Sequence, residues 1–407
     1  MQAERRCEHC GQMIPWGEQK CPACGEDEGP FWSLSRNELL LSSVLVLVIL
    51  FIATTFSVRA YRAKERDLAQ QWYASGEREL TAGHAEAALE DFRSALVYSH
   101  NDPLIEFQLA HALVAAGHLH EARAYLLGLW ESEPGNGTVD LELARLAAQL
   151  GSVPEAVQHY HDALYGQWDE NPAEHRRIAG LELAEFLLRV GQKAQAQAEL
   201  IALTAGLPND PALETQVGAL LLKTGEYEHA APLFRQALRL RPDYMPALEG
   251  AGEASFEMRN YPDARRYLAR AKRLGALSPQ SQSILETTTL IQESDPLAPR
   301  LSGQERASRA LLAFNQSMER LSKCAAARGV SFDNDQQQSD LQKVHARALA
   351  LQPKVRERNL ARDSDLLLKA TDMAFEIENV TERACGEPQG LDLALLLLSR
   401  VQEGANE

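Results

Sequence analysis

Four of the six cysteines stand within the first 24 residues, as Cys7-x2-Cys10-Gly11 and Cys21-x2-Cys24-Gly25. Two thiols separated by two residues are turned toward one point by a tight loop. The glycine after each second cysteine permits the close backbone approach. Two such loops supply four thiolates to one tetrahedral ion, and Zn²⁺ in a structural role is the expected cofactor. A catalytic ion is not expected, because four thiolates leave no coordination position open. The segment has almost no apolar core, so metal binding and folding should be one event. Two disulfides or a redox pair are the alternative chemistries. His9, between the first two cysteines, is expected to be exposed and not a ligand. Cys324 and Cys385 lie far away, near the ends of C-terminal helices. A disulfide between them and a pair of ordinary thiols both fit the sequence.

No other chemistry-bearing cluster stands out. His118 and His120 flank a helix–helix turn, and His159 and His161 flank Tyr160. Residues two apart on a helix do not face each other, so neither pair is expected to share a metal. There is no nucleophile elbow, no phosphate-cradling glycine loop after a strand and no paired metal-carboxylate motif. No catalytic residue and no small-molecule substrate are expected, so the chain does not read as an enzyme. The net charge is −16 with no basic block, which argues against nucleic acid as a ligand.

The elements that must carry these residues are mostly helices, and most of them repeat. Residues 67–275 hold six units. A small residue recurs in the first helix of each: Gly76, Ala110, Ala144, Ala184, Gly218 and Gly252. A second recurs in the next helix: Ala88, Ala122, Ala156, Ala196, Ala230 and Ala264. Both series step by 34, 34, 40, 34 and 34 residues. A large residue follows four positions later: Phe92, Leu126, Tyr160, Leu200, Phe234 and Leu268. Between the helices stand Gly83, Gly117, Gly151, Gly191 and Gly225, with Arg259-Asn260 in the last unit. Pro134, Pro208 and Pro242 close three units. The six extra residues fall near Gln167–His175 and should lengthen a loop or a helix end.

This pattern resembles the tetratricopeptide repeat (TPR) family, whose unit is a helix–turn–helix of 34 residues. The resemblance covers about half the chain. It implies an all-α fold, a right-handed α-solenoid of six hairpins stabilised by stacking, followed by a C-terminal helical region. It also implies protein or peptide partners, bound on a concave face built from each first helix. The corresponding positions here are Tyr73, Glu77, Phe107, His111, Arg145, Leu181, Glu185, Arg189, Lys223, Glu253 and Phe256. Some members hold the terminal carboxylate of chaperone peptides with Lys and Asn. Tyr73 and Glu77 stand where that pattern wants them, which disfavours the chaperone reading. The N-terminal cysteine pairs, residues 1–26, resemble a short zinc ribbon.

Residues 27–38 read as a polar connector. Residues 39–58 carry no charge over 20 positions, enough for a helix of roughly 30 Å that crosses a membrane. Phe31, Trp32 and Tyr61 flank that run where interfacial aromatics are expected. A cleaved signal peptide fits poorly, since the cysteine module lies upstream. Residues 59–66 form a basic juxtamembrane segment. Residues 276–300 read as a capping helix with a linker, and residues 301–407 as a C-terminal helical domain whose LDLALLLLSRV segment should be a core helix.

Two arguments about sidedness disagree. Arg59, Arg62, Lys64, Arg66 and Arg78 outnumber Lys20 and Arg36, which would place the repeats in the cytoplasm. A four-thiolate site belongs in a reducing compartment, and a module that folds early on metal translocates poorly. The second argument places the ribbon in the cytoplasm and the repeats outside the inner (plasma) membrane. The expected function is a single-pass scaffold or adaptor for protein–protein interaction, in an assembly of the cell envelope. The alternative is a transmembrane regulator that couples the ribbon to a ligand-binding repeat domain.

Overall fold

The computed structural model describes residues 5–15, 18–27, 36–332 and 339–406. Phe31, Trp32, most of the polar connector and residues 333–338 of the polar C-terminal loop lie outside the described residues. The chain forms two compact units, Met1–Pro134 and Gly135–Glu407.

The first unit opens with two short antiparallel strands, β1 (Arg5–Arg6) and β2 (Met13–Ile14), in the register Arg5↔Ile14 and Arg6↔Met13. One long helix follows, α1 (Arg36–Thr81). It carries the uncharged run and continues without a break into the first repeat. At about 1.5 Å per residue it is roughly 70 Å long. Its apolar stretch is exposed throughout and is long enough to cross a membrane. The basic segment 59–66 is therefore helix, not a separate joint. Helices α2 (Ala85–Tyr98), α3 (Pro103–Ala115) and α4 (Leu119–Ser132) complete two hairpins, α1–α2 and α3–α4.

The second unit holds four more hairpins: α5 (Gly137–Gln149) with α6 (Val153–Tyr165), α7 (Pro172–Arg189) with α8 (Lys193–Thr204), α9 (Pro211–Thr224) with α10 (Tyr227–Leu240), and α11 (Met245–Glu257) with α12 (Tyr261–Leu274). The two ends of a hairpin are built differently. First helices begin at polar caps: Asp102, Asn136 and Asp210 accept from the backbone amides that open α3, α5 and α9. Second helices enter through the predicted turn residues, all with positive φ: Gly83 84°, Gly117 84°, Gly151 77°, Gly191 80°, Gly225 83° and Arg259 58°. After each, an N–H returns to a carbonyl five residues back. The six donor–acceptor pairs are His84 to Glu79, His118 to Leu113, Ser152 to Ala147, Gln192 to Leu187, Glu226 to Leu221 and Asn260 to Ser255. That bond satisfies a carbonyl the helix end would otherwise orphan. The recurring large residues are buried, with Phe92, Leu200, Phe234 and Leu268 at 0 % exposure, so within each unit the core runs along the repeat seam.

The six extra residues do both things expected of them. They lengthen α7 to 18 residues and form a loop whose Gln167 pairs with the start of α5. Beyond the hairpins come α13 (Pro279–Ser294), α14 (Gly303–Ala327), α15 (Asp340–Leu351), the short α16 (Glu357–Leu360), α17 (Ser364–Cys385) and α18 (Gly390–Asn406). Ser302 with Glu305 and Ser339 with Gln342 form capping boxes that start α14 and α15. The apolar segment is α18, with Leu395 and Leu396 fully buried. It packs with Ala313 of α14, Phe375 of α17, Ile291 of α13 and Tyr261 of α12. Helix α13 thus joins the last hairpin to the C-terminal helices.

Candidate functional site

The four N-terminal cysteines converge. Cys7 Sγ lies 3.6 Å from Cys24 Sγ, and Cys10 Sγ lies 3.5 Å from Cys21 Sγ. All four sulfurs lie within 4.8 Å of one another. Two copies of one turn hold them. Cys7 N donates to Gln12 O at 2.8 Å and Gly11 N to Cys7 O at 2.9 Å. Fourteen residues on, Cys21 N donates to Glu26 O at 3.0 Å and Gly25 N to Cys21 O at 2.9 Å. Gly11 and Gly25 have φ of 76° and 74°, as the close turn requires. Backbone amides of Cys24 and Ala23 draw the Cys21 thiol down to about 7. Cys7 and Cys21 are buried with Ile14, and Cys10 and Cys24 are exposed. The sulfur spacing and the amide-stabilised thiol suit a metal ion coordinated by all four sulfurs.

Cys324, near the end of α14, and Cys385, the last residue of α17, are bonded to each other with Cα atoms 5.9 Å apart. Beside them Glu378 is buried against Ser317 and Arg320, and Arg320 also donates to Gly386 O. Burial pushes the Glu378 carboxyl up to about 7, against the opposing pull of Ser317 and Arg320.

Of the eleven positions expected on the concave face, Tyr73, Glu77, Phe107 and His111 fall in the first unit and the other seven in the second. In the first unit, Tyr73 lies edge-on to Phe92 at 5.8 Å and faces a hollow of about 430 Å³ lined by Arg66, Gln70, Asp102 and Leu104. Burial and a hydrogen bond with Glu77 push its hydroxyl up to about 12. Phe107 and His111 stack with ring centres 4.7 Å apart. In the second unit, Arg145 is held by both oxygens of Glu182 at 2.8 and 2.6 Å and by Glu142, so it ties two hairpins together. Glu185 accepts from Gln216 at 3.3 Å, and Arg189 is exposed at the end of α7.

Two of the positions are not on the open face. Leu181 is 8 % exposed and packs in the core with Ala184, Leu200 and Val217. Phe256 lies against Tyr261, ring centres 5.5 Å apart, among the apolar side chains of α13 and the C-terminal helices. Both follow from neighbours that a single repeat does not reveal.

Lys223 and Glu253 do meet, in a groove of about 520 Å³. Ala219, Leu222, Met245 and Pro246 form its apolar floor, and α13 with its cap Ser278 supplies one wall through Gln280 and Ser281. Glu253 accepts from Gln280 Nε2 at 2.5 Å. Burial holds its carboxyl above the usual range, Gln280 pulls it down, and Glu257 and Glu249 raise it again. Glu249 accepts from Ser278 Oγ at 2.6 Å and Ser281 Oγ at 2.8 Å. Glu249 and the α13 residues were not among the expected positions. Their signal was the capping helix itself, which must lie against the last first-helix.

The family profile described as tetratricopeptide repeat matches residues 107–172 and 221–286. The chain thus carries tetratricopeptide repeats. Its fold is all-α, as the 34-residue step implied. A stretch of 142 residues is 30% identical to DnaJ homolog subfamily C member 3 of Gallus gallus, covering 33% of this chain and 27% of that protein. The chain thus spans about a quarter of the length of that curated relative. Among solved structures, it is similar to pilF of Pseudomonas aeruginosa, with 20% identity, 54% of this chain and 96% of that chain covered, and a TM-score of 0.40. It is also similar to YrrB, described as a TPR protein with an unusual peptide-binding site, with 19% identity, 45% and 91% covered, and a TM-score of 0.37.

Proposed function

We propose that this TPR protein is a membrane-anchored scaffold that holds a protein or peptide partner in the groove of its second unit. The groove carries the reading: an apolar floor at Ala219, Leu222, Met245 and Pro246 is edged by Lys223 of α9 and by Glu249 and Glu253 of α11. Such a floor takes an apolar side chain, and the acidic edge favours a basic residue next to it. A photoreactive residue at position 223, in membranes, should crosslink to a protein, and Glu253→Ala should reduce the adduct. Adducts no different from those made at the exposed Arg239 on α10 would contradict a groove-bound partner.

The anchor in this reading is Leu39–Val58 of α1, and the module at residues 5–27 holds Zn²⁺ through Cys7, Cys10, Cys21 and Cys24. The ion would supply structural cross-linking and no catalysis. Sidedness follows from sulfur chemistry. Four cysteines outside any disulfide lie before the span, and a disulfide lies after it. Thiolate sites persist in reducing compartments and disulfides in oxidising ones. The module then sits in the cytoplasm, and the repeats sit outside the inner membrane as part of a cell-envelope assembly. The basic residues after the span oppose this orientation, and we weigh the disulfide more heavily because a cytoplasmic one would be reduced.

The continuity of α1 favours a second reading, a regulator whose groove and cysteine module communicate through one stiff helix. Deleting residues 1–30 separates the two. A scaffold keeps its partners, and a regulator loses its response.

A further inference from the structure

We propose that Asp140, His159 and Asp162 form a second metal site, for a divalent transition ion of the Zn²⁺ class, within the third hairpin. Asp140 stands in the first turn of α5, and His159 and Asp162 stand three residues apart on one face of α6. His159 Nδ1 lies 3.3 Å from Asp140 Oδ1 and 3.9 Å from Asp162 Oδ2. One ligand atom from each residue falls within 4.8 Å of the other two. Around an ion with bonds of about 2.0–2.2 Å, tetrahedral ligand atoms stand roughly 3.3–3.6 Å apart. The three groups are thus close to coordinating positions already.

A second observation points to a ligand there. Asp140 is fully buried, and its Oδ2 has no hydrogen-bond partner among the described residues. Buried carboxylate oxygens are normally satisfied or bound to metal. Burial and the nearby Asp140 also raise the Asp162 carboxyl. A dication would relieve both the unsatisfied oxygen and the repulsion. One imidazole and two carboxylates are hard-to-borderline ligands, a different donor set from the four thiolates at the N-terminus. Asp162 is 43% exposed, which gives an ion its path in. Three protein ligands leave one coordination position open.

The inserted loop frames this end of the hairpin. Gln167 N donates to Gly135 O at 2.8 Å, and Gly137 N donates to Gln167 O at 2.9 Å. Trp168 donates to Ala163 O at 3.0 Å and stacks on His175 with centres 4.6 Å apart. The loop therefore braces α5 and α6 beside Asp140 and Asp162. The ion would clamp the same two helices from within.

The test uses the full chain in detergent, with C7S, C10S, C21S and C24S removing the thiolate site. Equilibrium dialysis against Zn²⁺ should leave one bound equivalent. Asp162→Asn and His159→Gln should each weaken that binding at least about 10-fold. Asp162 is half exposed, so its variant keeps the fold; an unchanged circular dichroism melt without metal checks this. No Zn²⁺ bound by the cysteine-free chain, or binding that neither variant weakens, would overturn the site. The proposal is independent of the groove, the partner and the membrane.

Discussion

Phe234 fills the space between Gly218 of its own hairpin and Gly250 of the next. A Cβ on Gly250 would stand 2.3 Å from the ring. Phe234→Ala should therefore cost about 3–5 kcal/mol. Gly250→Leu should cost at least about 1–3 kcal/mol by overpacking. The urea midpoint of the second unit measures both. Glu253 makes the opposite kind of contribution. Its carboxyl is raised in the folded chain, so the folded state binds the proton more tightly than the unfolded one. Its contribution falls as pH rises from the ordinary carboxylate range through the raised value. Glu253→Gln keeps a partner for Gln280 and should raise the melting temperature at pH 7 but not at pH 4. Residue types showed the packing pairs directly, because small and large side chains recur at fixed offsets. They did not show Leu181 in the core or Phe256 under the C-terminal helices. Those positions are decided by neighbours as far as 142 residues away, from Leu200 beside Leu181 to Leu398 beside Phe256.

Among the elements, α1 departs most from its reading in sequence. Hydropathy changes sharply after Val58, which marked residues 59–66 as a separate segment. The backbone signals do not change there: residues 31–75 contain neither Gly nor Pro. Continuity follows from that absence of helix breakers, not from hydropathy. Three glycines inserted after Ala63 should uncouple the module from the repeats. The scaffold reading expects partner crosslinking to persist, and the regulator reading expects signalling to fail. At the other end, the Cys324–Cys385 bond closes a 61-residue separation between α14 and α17. Replacing both with Ala should lower the stability of the C-terminal helices by about 2–4 kcal/mol in urea unfolding. The pairing was open in sequence because nothing there brings the two helix ends together. Packing of α14 on α17 does.

At the scale of the whole chain, the account is a molecule with opposite sulfur chemistry before and after one apolar helix. Zinc removal should act locally. A chelator should expose all four thiols of residues 5–27 to reagent, with helical circular dichroism unchanged, because the repeats bury their own core. The order of cysteine pairs, apolar helix, repeats and helical end was legible from composition and periodicity. The side each faces was not, because the charge and cysteine arguments oppose each other. Labelling intact cells with a membrane-impermeant maleimide, before and after an impermeant reductant, tests the central claim most directly. The account predicts that Cys324 and Cys385 label from outside only after reduction, and that Cys7, Cys10, Cys21 and Cys24 label only after permeabilisation. Labelling of the N-terminal four from outside, or of the C-terminal pair only after permeabilisation, would contradict it.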